Sequence, residues 1–171
     1  MSNITETFRA KSGALGVKGL RRREDNPNRF RDSTVPLGGS EVSEFEGMIG
    51  ERFPEEYRKF LLDIGGAFLQ AWVCPIEIRQ EYGDREILEI LYGGKADATY
   101  DLWTVHSRYK DRLPDSVIII GENLCGDQFC MAIKGPERGK IYFWDHETAK
   151  VYLTANSFED FLNRLGPDPG T

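Results

Sequence analysis

A chain of 171 residues with 40% hydrophobic and 29% charged side chains has the make-up of one soluble globular domain, long enough to bury a core without disulfide or metal staples. No apolar run reaches bilayer-spanning length, and Met1-Ser2-Asn3-Ile4-Thr5-Glu6 lacks a basic stretch followed by an apolar one. A helical membrane protein is excluded, no secretory signal is visible, and a cytoplasmic protein is expected. The net charge of −6 is uneven: residues 1–35 carry eight basic and four acidic side chains, net +4, which leaves −10 on residues 36–171, a body that repels nucleic acid and membrane phosphates and suits a basic partner.

Residues 1–39 hold five glycines, two prolines and the run Arg21-Arg22-Arg23, with sparse apolar positions. They read as a basic, weakly structured arm. A nucleic-acid-binding arm is the sharper alternative, but Glu24-Asp25 follow the arginines at once and favour a self-paired surface. A first helix is predicted from Ser40, as N-cap, to Ile49, with Val42, Phe45 and Ile49 on one face and Gly50 as its stop. A second opens at Pro54, carries Glu55 and Glu56 in its first turn, buries Tyr57, Phe60, Leu61 and Ile64, and ends at Gly65-Gly66. Residues 67–78 read as β structure broken at Pro75, residues 80–84 as a turn, and Glu86–Tyr92 as a strand pairing back. Tyr100–Arg112 carries helical spacing and stops before Pro114.

From Leu113 to Glu147, three β-rich runs separated by glycine-bearing turns predict an antiparallel meander. Its first strand, Val117–Ile120, is apolar enough to be covered on both faces. A short strand, Val151–Leu153, follows. Ser157 then caps a last helix with Asp160 as the capping-box acid, and residues 167–171 form a polar tail. The order predicts an α+β fold: one domain over 40–166, a largely antiparallel sheet, and helices packed on one face and end.

Chemistry-bearing residues are few. Cys74, Cys125 and Cys130 cannot all pair, and each sits in or beside an apolar stretch, so all three read as buried free thiols. Three cysteines and two histidines lack the paired spacing of a zinc site, and no metal or cofactor is expected. A thiol enzyme would need Cys125 or Cys130 with His106 or His146, Asp127 completing a triad; this reading is the least favoured.

Three segments taken together carry a resemblance: Phe45-Glu46 with Phe53–Leu62 and Gly65-Gly66; Leu113-Pro114-Asp115 through Ile118–Glu122 to Gly126-Asp127; and Ile141–Glu147 with Ser157–Leu162. Ordered in this way, the chain resembles the SUKH superfamily, the Smi/Knr-like domain, over roughly residues 40–165. The resemblance implies a binding module and no enzyme. Bacterial members are mostly immunity proteins that neutralise polymorphic toxins, often nucleases, and fungal members are regulatory scaffolds. Its signature positions fall on Pro54, Tyr57, Phe60, Leu61, Gly65, Gly66, Gly126, Asp127, Trp144 and Phe161, which read as residues that make the fold. The chain departs from the pattern in its N-terminal arm, in an insertion near 80–98, and in Ile64 where members often carry Asn. The function expected is an immunity protein, a monomer, that occludes a toxin with an acidic surface. Candidate contacts are Glu122, Asp127, Asp145 and Glu147, with Trp72 and Tyr82 as aromatic anchors. A regulatory scaffold for a cellular protein is the alternative.

Overall fold

The computed structural model describes residues 3–20, 23–26, 28–29, 34–79, 83–94 and 99–169. The N-terminal stretch departs from expectation. Ile4–Leu15 is a helix, α1, capped by Asn3, whose side chain accepts from the Glu6 N–H. Ile4 and Phe8, one turn apart, are buried, and the Phe8 ring packs edge-on against Phe60 and tilted against Trp72. Thr5 donates to Asp63, and Lys11 donates to the carbonyls of Asn163 and Leu165. Val17–Lys18, strand β1, then pairs with Leu69 and Phe68. A two-residue apolar stripe is too short to announce a helix; tertiary burial decides it. Of the arginine run, Arg21 and Arg22 lie outside the described residues, and Arg23 is bound to Asp25.

Helix α2 (Gly39–Ile49) starts one residue before the expected Ser40, with Gly38 as N-cap and no side-chain cap. Helix α3 (Glu55–Asp63) follows with Pro54 as its N-cap. The buried Glu46 ties the two together, accepting from the Phe53 N–H at 3.0 Å and from Arg58 at 3.2 Å. Gly65 and Gly66 do more than stop a helix. Both have positive φ, and a Cβ on Gly65 would meet the Val35 carbonyl oxygen at 2.0 Å, while one on Gly66 would meet the Gly93 backbone at 2.7 Å. Three backbone segments therefore touch where only glycine fits.

The sheet runs in chain order from β1 through β2 (Ala67–Arg79), β3 (Gly83–Leu91), β4 (Val117–Glu122), β5 (Gln128–Ala132) and β6 (Ile141–Trp144) to β7 (Val151–Ala155), every neighbour antiparallel. Pro75 does not break β2, which runs through it to Arg79 with irregular register on either side. The outer edge of β2 is paired by β1 at Phe68–Leu69 and by β8 (Gly166–Pro167) at Trp72–Val73, and by nothing described at Pro75, where a residue without an N–H is tolerated. The tail thus begins in the sheet and not as a frayed end.

Alternation along the strands gives two faces. Ile118, Met131 and Ile141 share one row and Phe129 and Phe143 the next, with Phe129 against Phe161 of helix α5 (Phe158–Arg164). Helices α1, α3 and α5 pack together over this face. Ser157 caps α5 as predicted, accepting from the Asp160 N–H, while the Asp160 carboxylate reaches back to the Asn156 N–H. The opposite face carries Ile119, Cys130 and Tyr142 in one row and Gln128 and Trp144 in the next. Helix α4 (Leu102–Tyr109), shorter than the sequence suggests and capped by Asp101, covers its end, with Tyr109 edge-on to Trp144. Ile118, Ile119 and Ile120 are all buried, so β4 is central and covered on both faces.

Candidate functional site

A concavity of about 530 Å³ opens at one end of the sheet. Its wall is made by the β4–β5 turn, the β6–β7 turn, the start of β3, Val73 of β2, and Asp168-Pro169 after β8.

The first turn is built around buried Asn123. Its side-chain oxygen accepts from the N–H groups of Cys125 and Asp127, both at 2.9 Å, and its amide donates to Asp127 Oδ2 at 3.0 Å. Gly126 supplies the left-handed residue this turn needs, with φ of 88°. Asp127 then crosses to the second turn, where its Oδ1 accepts from the His146 N–H at 3.0 Å and meets His146 Nδ1 at 2.6 Å. That contact assigns the imidazole proton to Nδ1 and leaves Nε2 as the ring's other nitrogen. Asp145 closes its own turn, accepting from the N–H groups of Glu147 and Thr148. Two of these acids are therefore structural as well as charged: sharing their oxygens with backbone N–H groups fixes the turns and still leaves negative charge at the rim.

Three of the acids singled out in the sequence, Asp127, Asp145 and Glu147, meet at this cleft. Glu122 does not line it. It is half-buried beside Gln128, whose amide lies 3.4 Å from Glu122 Oε2 and donates to the Gly126 carbonyl at 2.9 Å. Burial, and then the charge of Glu122, raise the carboxyl of Glu89 above its ordinary range. Trp72 is no partner anchor. It is fully buried and its indole N–H donates to the Gly16 carbonyl at 3.2 Å, because α1 and β1 cover it. Tyr82 lies outside the described residues. The cleft also gathers Glu86, Asp168 and Arg85, which sequence reasoning missed. They arrive through the β2–β3 hairpin and the β8 pairing, long-range contacts that leave no local signal.

The thiols divide. Cys74 and Cys130 are buried, and burial pushes Cys130 up to about 12 and Cys74 higher still; Cys125, expected to be buried, is exposed at the rim of the cleft. His106 is half-buried on α4, edge-on to Phe45. Cys125, His146 and Asp127 do line one cavity, but among the described residues no hydrogen bond joins the thiol to the imidazole, so the base that would activate a nucleophile is not engaged. No group of three or more His, Cys, Asp or Glu among the described residues is placed to hold a metal ion, and no described helix is long and apolar enough to cross a membrane.

These features define an α+β, single-domain protein with a charged, solvent-open cleft at the turn end of an antiparallel sheet. The SMI1 / KNR4 family (SUKH-1) matches residues 36–164, and the chain belongs to that family. It is similar to the SPbeta prophage-derived uncharacterized protein YokK of Bacillus subtilis (strain 168), with 32% identity over 165 residues, covering 82% of this chain and 84% of that protein. Within the matched span Tyr57, Phe60, Leu61 and Phe161 are fully buried and Trp144 nearly so.

Proposed function

We propose that the protein is an immunity protein that neutralises a cognate polymorphic toxin, such as a nuclease, by binding it through the acidic cleft, acting as a cytoplasmic monomer and without catalysis of its own. One observation carries this reading. Glu86, Asp127, Asp145, Glu147 and Asp168 surround a single concavity in which, among the described residues, Arg85 is the one Lys or Arg. A protein that grips nucleic acid must present cations. Five carboxylates focused in one cleft attract such a surface, speed its encounter and shield it from its substrate. The family assignment supports the same class of role, and a prophage-derived relative fits a gene that travels with its toxin.

The test is co-expression with the toxin encoded beside the gene, scored for growth. The wild-type chain restores growth. Glu147→Lys, at an exposed position that the fold does not need, weakens binding about tenfold or more and removes most of the rescue, and affinity falls steeply as salt rises. Full rescue by Glu147→Lys with salt-indifferent binding would refute the cleft. A gene with no toxin beside it and a cellular protein as its partner would favour the regulatory scaffold.

A further inference from the structure

The second face of the sheet is only partly covered. Beyond α4 lies a groove of about 410 Å³, floored by Cys130 and Ala132 and walled by Leu113, Tyr142, Trp144 and Val151. With Val117, these come from β4, β5, β6, β7 and the loop before β4, and the strand residues share one face by register. Val151 is 56% exposed, far more than an apolar strand residue needs to be. We propose that this groove binds an amphipathic α-helix of a partner protein, apolar along one side and acidic along its flanks.

The choice of a helix follows from the backbone. β5 and β6 are each paired on both edges, so the floor offers no free N–H or C=O groups. An extended peptide lying across it would leave its own polar backbone unsatisfied over an apolar surface, whereas a helix bonds itself. The groove crosses four strands, about 14 Å at roughly 4.8 Å per interval, which matches about ten residues of helix. The choice of acidic flanks follows from the rim. Arg112 lies over the Trp144 ring at 4.9 Å and over Tyr109 at 5.5 Å, which fixes a positive charge at one end, and Lys134 lines the groove. The acid in the lining, Glu137, is engaged by Lys140 at 2.6 Å and by the Tyr142 hydroxyl at 2.8 Å. Asp115 lines the neighbouring crevice with His106 and Lys110. The rim is therefore positive where the cleft is negative, and the two sites select opposite partners.

The proposal stands apart from the cleft, and its test uses different residues. A phage library of 16-residue helix-forming peptides is selected against the full chain. Enriched peptides place apolar residues at i, i+3 or i+4, and i+7, with Asp or Glu beside them. Their affinity falls at least tenfold in Val151→Glu and about threefold in Lys134→Glu, and does not change in Glu147→Lys. Enrichment of basic or proline-rich sequences, binding that survives Val151→Glu, or no enrichment at all overturns the proposal. So does a wild-type dimer that Val151→Glu converts to monomer, which would make the occupant a second copy of this chain.

Discussion

The acidic cleft and the apolar groove are two openings of one sheet, and they are made in opposite ways. The cleft lies at strand ends, where turns are held by side-chain oxygens accepting from backbone N–H groups: Asn123 for one turn, Asp145 for the other, and Asp127 bridging them. The groove lies on strand faces, where the ladders satisfy the backbone and side chains alone set the surface. A cleft of the first kind has its recognition groups tied to its architecture. A groove of the second kind can change its lining without disturbing its frame. On the proposed immunity role, with toxins that change, the two would drift at different rates.

The sharpest way to break the contrast is Asp127→Ala. It removes the acceptor shared by the His146 N–H and ring and by the Asn123 amide. The expected cost is about 2–4 kcal/mol in denaturant unfolding, together with loss of cleft binding, while groove peptides still bind the folded fraction. A loss below about 0.5 kcal/mol would mean that the two turns are held independently. The cysteines give a second measure. Cys125 at the cleft reacts with a thiol reagent in the native state, whereas Cys130 under the groove and Cys74 in the core react at least about 100-fold more slowly until the chain unfolds. Native labelling of Cys130 would show the groove floor opening on its own. The smallest effect lies on β3, outside both sites. Glu89 has a raised folded pKa, so its contribution favours the fold at low pH and is lost as pH climbs through that folded value. Removing one cause with Glu122→Gln should raise stability at neutral pH by less than about 0.5 kcal/mol, since Glu89 is only partly buried and solvent screens the pair, and should leave stability below pH 4 unchanged.

Much of the frame was readable from periodicity. The meander's runs, the Tyr57–Phe60–Leu61 stripe and the Ser157 cap are local patterns, and local patterns survive in a sequence. The cleft was half readable: Asp127 sits in a turn that Gly126 announces, and Asp145 and Glu147 in the polar stretch after Trp144, but Glu86 and Asp168 reach it only through β pairing across long stretches of chain. Trp72 misled because nothing near it in the sequence shows that the N-terminal helix is laid over it. That helix was missed because its stripe is two residues long and its glycine-rich neighbours suggest disorder. The groove left no mark at all, since Cys130, Ala132 and Trp144 read as ordinary core and all three are buried beneath it.

Strand β2 is flanked on its outer side by the two extremities of the polypeptide, β1 arriving from the front and β8 from the back. Trimming the gene to the family-matched span, residues 36–164, would discard both. The trimmed product would show raw ladder groups from Phe68 to Val73 and a bared indole, an invitation for one molecule's sheet to extend into the next. Sequence outside the family boundary thus acts as a hem along this edge of β2.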